Sequence, residues 1–333
     1  MSSFRSWHFV LEKLTLSKFL QMKFNNFLFR FLPFFLTRWY IACMGRFYYL
    51  LNWRDKVLIA KTIRHVLHGR MSSEEAHQKT KGAFGGIFDH YHEKLFVGYS
   101  NFPKLLDFFR TQVCFQGEEK LKETLAAGKG AILVTGHFGA VELLPGTLAV
   151  HGFPTSMICR FQTNRLRESL GRRAGWIGLH LIDADQENSF FAAVKALKAG
   201  RILITECDEF DEWRADPNQG TSFLDRRLTG DRTLDILSKR SGAPVVAAMV
   251  ERDGGQQYTC HLTALDNGAA PVNMSISQRC LNILDASVKA HPEQWYQWKK
   301  FGKLIHIDPG VGHARPKAGY LAPEIGFSLP DQA

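Results

Sequence analysis

No two of the six cysteines form a CxxC pair or stand at a metal-ligand spacing: Cys43, Cys114, Cys159, Cys207, Cys260 and Cys280 are scattered along the chain. That argues against a disulfide-stapled scaffold and reads as reduced thiols, none with an assigned role. No apolar run reaches the roughly 20 residues that a membrane-crossing helix needs. The aromatic stretch near the N-terminus is broken by Arg30, Arg38 and Arg46 and by Pro33. It also lacks a compact apolar core followed by a small-residue cleavage site, so a signal peptide is not expected. No GxSxG elbow and no internal repeat occur.

What the sequence does contain is apolar content enough to build a core. Of its 333 residues 45% are hydrophobic and 22% charged, which excludes wholesale disorder. The formal net charge is +10, and the first 54 residues hold eight Lys or Arg against one acid, Glu12. The same segment carries 16 of the 41 aromatic residues. A basic and aromatic segment suits the surface of an anionic bilayer, lying in the interface rather than spanning it, with a set of aromatic core helices carrying solvated Arg as the alternative.

After helical patterns such as "RDKVLIAKTIRHVLHG", and a capping-type "SSEEAH" ahead of "IFDHYHEKLF", short apolar β-runs alternate with helices. Strands are expected at 131–135, about 155–159, 201–205 and 244–250, with helices over "SFFAAVKALKAG" and "TLDILSKRSG" between them. Lys or Arg followed by Gly closes several of these helices ahead of a strand. The pattern predicts a layered α/β domain with a mostly parallel sheet, preceded by an amphiphilic N-terminal helical segment. The division expected is 1–54 for the membrane-associating segment, 55–308 for the α/β domain and 309–333 for a Pro- and Gly-rich loose tail.

The first strand runs into "TGHFGAVEL", which places His137 at a carboxyl edge, where parallel α/β sheets build their sites. Gly136 and Gly139 permit a tight turn and close approach of a substrate to the backbone. With Glu142 in the following helical turn, its carboxylate can orient the imidazole and raise its basicity, as a general base acting on an alcohol requires. The bland alternative is a buried histidine at a helix cap with Glu142 on the surface. Without an adjoining nucleophile, direct attack by a bound hydroxyl fits better than a covalent intermediate.

The ordered blocks of the chain narrow this choice. "GEEKLKETLAAGKGAILVTGHFGAVEL", "CRFQTNRL", "GRILITECDE", "SGAPVVAAMVER" and "HPEQWYQWKKF" together resemble the bacterial lipid A biosynthesis acyltransferase family of the late, lauroyl/myristoyl type, within the lysophospholipid acyltransferase-like superfamily, over roughly residues 80–305. The resemblance implies a His-x4-Glu catalytic pair, His137 and Glu142, with Arg160, Asn164 and Asp208 as substrate-binding positions. It implies transfer of an acyl chain from an acyl carrier protein or coenzyme A thioester to a hydroxyl of a glycolipid acceptor, at the cytoplasmic face of the bacterial inner membrane. No cofactor, metal or nucleic acid is implied. The chain departs from the family pattern at Phe161 for Pro, Glu209 for Gln, Ala140-Val141 for Asn-Trp, and "FLDRRLTG" for Phe-Phe-Gly. These departures bear on the identity of the acceptor, and an amino-lipid acceptor, thioester hydrolysis and a non-catalytic binding module stand as alternatives.

Arg160, Arg165, Arg167, Arg172 and Arg173 crowd 14 residues and can clamp phosphates or meet an acidic carrier protein, with a solvated face the alternative for all but Arg160. Asn164 can hold a polar substrate group or cap a helix. Asp208 opens the acidic run "DEFDEW", which lacks EF-hand order, so a structural or substrate-orienting use is expected for it rather than a metal. His90 and His92 in "DHYHE" diverge on a helix and receive no ligand role.

Overall fold

The computed structural model describes residues 23–67, 71–159, 161, 164–185, 188–210, 215–265 and 274–305. Residues 1–22 of the basic segment and the tail 309–333 lie outside them. Nine strands are described: β1 Val113–Gln116, β2 Ala131–Thr135, β3 Thr155–Cys159, β4 His180–Asp183, β5 Ile202–Glu206, β6 Ala215–Phe223, β7 Arg226–Asp231, β8 Val245–Arg252 and β9 Tyr258–Ala264. Seven form one sheet in the order β1-β9-β8-β2-β5-β3-β4, in which every pairing is parallel except β8 with β9. The central strand β2 is buried at every residue, as a strand covered on both faces must be. β6 and β7 stand apart as an antiparallel hairpin turned through Leu224 and Asp225.

Two apolar layers sandwich the sheet. One packs Ile132, Val134, Leu203 and Phe138 against Leu281, Leu284, Trp295, Trp298 and Phe301. The other packs Leu133, Ile204, Val246 and Val250 against Phe109, Leu144, Phe88 and Phe96. The alternation of 132/134 with 133 along β2 sends successive side chains to opposite layers.

The N-terminal helices belong to this second layer. On helix Phe34–Leu51 the buried residues are Phe34, Thr37, Ile41 and Gly45, a helical stripe facing the helix Ser73–Tyr99. Phe35, Trp39 and Phe47 point outward, as do Phe24, Phe27 and Phe31 of helix Lys23–Phe31, each more than half exposed. The eight-residue spacing of the arginines drifts about 80° per step, and the outcome is divided. Arg30 and Arg46 are exposed beside those aromatics, whereas Arg38 turns inward to Asp89 at 3.1 Å. Among the described residues no helix is long and apolar enough to cross a membrane.

The expected capping box forms at the start of helix Ser73–Tyr99: the Ser72 hydroxyl accepts from the Glu75 N–H and the Glu75 carboxylate accepts from the Ser72 N–H. This 27-residue helix is the longest one described and carries the DHYHE stretch past Glu142 and Tyr296.

Candidate active site

His137 lies two residues beyond the end of β2, and Asp208 two beyond the end of its parallel neighbour β5. Thr135 and Glu206 are register partners, and the Cys207 N–H extends the ladder to the Thr135 carbonyl, so positions 137 and 208 emerge side by side. Asp208 is fully buried and its carboxylate accepts from three donors: the His137 backbone N–H at 3.1 Å, the Trp295 indole at 2.9 Å, and His137 Nδ1 at 2.9 Å. The imidazole is thereby fixed with Nδ1 on Asp208 and Nε2 turned toward Glu209 and Glu206, its side chain 13% exposed.

Glu142 does not take that place. It sits half-buried in the short 3-10 turn Val141–Leu143, with its carboxylate 3.3 Å from Lys94 Nζ and 3.6 Å from His90 Nε2. Its residue spacing from His137 brings it to the same pocket, but the imidazole's nearest carboxylates come from the β5 end. Besides Asp208 these are Glu209, 2.9 Å from Nε2, and Glu206, 3.5 Å from Nε2. His90, given no role from the sequence, stacks on Tyr296 at 4.0 Å, and Tyr296 meets the His137 ring edge-on at 5.3 Å. His92 points the other way, into the core against Thr37. The two histidines diverge as their spacing requires.

The turn after β2 is laced to two other segments. Gly139 takes φ +57°, and a Cβ there would overlap the Val250 carbonyl oxygen, so only glycine fits. The Gly139 N–H donates to the Gln294 carbonyl, the Ala140 N–H to Val250, and the Tyr296 N–H to the His137 carbonyl at 3.2 Å. Arg252, at the end of β8, donates Nη2 to the Gly139 carbonyl at 2.6 Å while its Nε and Nη2 grip both oxygens of the buried Glu93. The Pro-Glu-Gln-Trp segment therefore serves as a brace that holds the histidine's backbone.

The electrostatics follow from this crowding. Burial alone would discharge His137, but Glu206, Asp208 and Glu209 outweigh it and hold the imidazole well above its usual value near 6.5. Burial pushes Glu206 up to about 7, partly offset by the histidine. Glu209, although burial opposes its charge, is drawn down to about 2 by its bonds to His137 and to Lys300. Burial, with Lys94, Arg252 and His137 nearby, drives His90 well below the histidine range, so it is neutral.

The donor atoms of His137, Glu206 and Glu209 all lie within 4.8 Å of one another, close enough to surround a cation. Against a metal stands Lys300, 2.7 Å from the outer oxygen of Glu209, which already compensates that carboxylate.

The arginines of the 160–173 cluster separate. Arg160 lies outside the described residues, as does the side chain of Asn164, whose backbone opens helix Asn164–Trp176. Arg167 is bonded to Asp183 at 2.6 Å. Arg173 donates to the carbonyls of Val97 and Ser100, closing the end of helix Ser73–Tyr99. These last two have structural work that the charge cluster did not reveal.

Asp208→Asn is expected to lower kcat about a hundredfold, because an amide cannot accept from all three donors. It should also move the alkaline rise of activity to lower pH, since one negative charge beside the imidazole is gone. A drop in kcat with no movement of the pH profile would make Asp208 a purely structural residue.

No curated protein matches the chain. Residues 27–300, which take in the N-terminal helices as well as the sheet, match the bacterial lipid A biosynthesis acyltransferases, and the chain belongs to that family of acyltransferases.

Proposed function

We propose that the chain transfers a fatty acyl group from an acyl carrier protein or coenzyme A thioester to a nucleophile of a glycolipid or related lipid acceptor, without a covalent protein intermediate. The observation that carries this reading is the imidazole of His137, anchored through Nδ1 on a buried aspartate and still 13% exposed. The acceptor displaces Glu209 from Nε2 and gives up its proton there as its heteroatom attacks the thioester carbonyl carbon. The C–S bond then breaks and the proton passes from Nε2 to the departing thiolate. Backbone and basic donors around the turn stabilise the carbonyl oxygen. Asp208 takes the orienting part that the His-x4-Glu spacing assigns to Glu142. Glu142 faces the acceptor side with Lys94 and His90, and substrate binding is the part proposed for Arg160 and Asn164.

We place the enzyme peripherally on the cytoplasmic face of the bacterial inner membrane. The support is the outward face of the N-terminal helices, where Phe24, Phe27, Phe31, Phe35, Trp39 and Phe47 stand exposed beside Arg30 and Arg46. Lipid mass spectrometry on membranes from cells with and without the chain, and with His137→Ala, tests the function. Loss of one acyl-shifted lipid in both deletion and variant is expected, and an unchanged profile would turn the reading toward hydrolysis or binding.

The pH profile has a definite sign. A base must be unprotonated to act, and the carboxylates keep His137 protonated to higher pH than a free histidine. In the free enzyme kcat/KM should therefore climb with pH through a value well above 6.5. Glu209→Gln, which removes the charge on Nε2, should shift the climb to lower pH. A profile flat from pH 6 upward would contradict the assignment.

A further inference from the structure

We propose that the hydroxyl of Tyr296, set beside the His137 imidazole, is a hydrogen-bond donor to the thioester carbonyl oxygen as negative charge develops there during acyl transfer. The inference rests on the acyl-transfer reading and adds a catalytic residue to it. Tyr296 follows directly on the Pro-Glu-Gln-Trp brace, and its backbone N–H donates to the His137 carbonyl at 3.2 Å. Its ring stands edge-on to the imidazole, with centroids 5.3 Å apart and planes at 82°, and stacks on His90 at 4.0 Å and 18°. Two ring contacts and a backbone bond thus fix the phenol relative to the base before substrate arrives, as a charge-stabilising donor must be fixed.

The other donors around the base are committed. Within the turn the His137 N–H donates to Asp208, Phe138 to the Gly136 carbonyl, Gly139 to Gln294 and Ala140 to Val250. Lys94 serves Glu142, Lys300 serves Glu209, and Arg252 holds Glu93 and the Gly139 carbonyl. The carboxylates beside His137 accept hydrogen bonds when ionised and cannot donate one. The Tyr296 proton is uncommitted: among the described residues its hydroxyl bonds to no other group, and it is half-buried rather than sealed. Burial raises the phenol well above its ordinary value near 10, and Glu206, Glu142 and Asp208 raise it further, so it stays neutral while His137 works as a base. Glu206, the charge it feels most, lies 3.5 Å from Nε2, which sets the hydroxyl on the reacting side of the imidazole.

The step balances without moving the tyrosine's proton. The acceptor hydroxyl gives its proton to Nε2 as its oxygen attacks the thioester carbonyl carbon. The carbonyl π pair shifts onto the oxygen, where the Tyr296 O–H meets it. When the C=O bond re-forms, the C–S bond breaks and the thiolate takes the proton from Nε2. The products are an ester and a thiol.

Tyr296→Phe tests this, because it keeps both ring contacts and removes only the donor. Purified full-length enzyme is assayed with lauroyl-coenzyme A and dodecanol in detergent micelles, by thiol release and by mass spectrometry of the products. The variant's kcat is expected to fall about a hundredfold with KM for lauroyl-coenzyme A unchanged, as for an interaction made only in the transition state. The climb of kcat/KM with pH should stay in place, because the group removed is neutral, and the melting temperature should match that of the wild type. In calorimetry, undecyl trifluoromethyl ketone, whose hydrate mimics the tetrahedral centre, should bind the variant more weakly by a comparable factor. S-dodecyl-coenzyme A, which has no carbonyl, should bind both proteins equally. A kcat within about threefold of wild type, or a change in KM alone, would overturn the donor role. A shifted pH climb would also overturn it, by making Tyr296 a positioning residue that acts through His137. Tyr296-dependent thiol release with laurate as the sole product would keep the donor role and instead sink transfer to an acceptor.

Discussion

His137→Ala is expected to lower kcat by about three orders of magnitude while leaving the fold intact, within the range that a positioned general base supplies. The variant removes the imidazole to which the acceptor's proton is assigned. Folding should survive because the imidazole is at the rim of the core. Asp208 keeps the His137 backbone N–H and the Trp295 indole as donors after the ring is gone, so no buried carboxylate is orphaned. Thiol release by the purified variant, with its melting temperature alongside, measures both. A rate near that of the wild type would end the general-base mechanism.

The largest expected loss of stability lies one layer behind the histidine. Arg252→Met should cost about 3–5 kcal/mol, because it strips the partner from a buried carboxylate. Glu93 is 1% exposed, and burial pushes its pKa up to about 7 even with both oxygens held by Arg252. The same guanidinium holds the Gly139 carbonyl, so the turn carrying His137 should loosen and activity fall with stability. Pairing the change with Glu93→Leu should recover much of the loss, since an apolar pair leaves no stranded charge. Urea or thermal denaturation of the single and double variants reads this. A single variant within about 1 kcal/mol of wild type would show the pair to be dispensable.

Much of the framework was legible locally. β2 and β3 occupy the residues expected of them, and β5 and β8 lie within a residue or two, because continuous apolar β-runs bounded by Gly and Lys announce buried parallel strands. The five strands left unread are β1 and β4 at the sheet edges, β6 and β7 of the separate hairpin, and β9 with its alternating burial, where the periodic signal is weak. The N-terminal segment was read for its basic and aromatic character. Aromatic core helices were the alternative there, but which residues turn inward, Phe29, Phe34 and Ile41, was not visible, since a helix's inward stripe is distinguished from its outward one only by what it packs against.

The candidate site divides along the same line. A turn with glycines around a histidine at a strand end is a local feature, and the sequence by itself determined that His137 would sit at the carboxyl edge of a parallel sheet. It determined equally the thiols without partners, the capping box at Ser72 and the absence of an apolar span in the described helices. Which carboxylate meets the imidazole was decided by tertiary structure alone. Asp208 and Glu209 lie 71 and 72 residues away in sequence, and they reach His137 because β5 is the neighbour of β2 and pairs Thr135 with Glu206. Strand adjacency follows from how helices and loops fill both faces of the sheet, a property of the whole chain that no window of neighbouring residues contains.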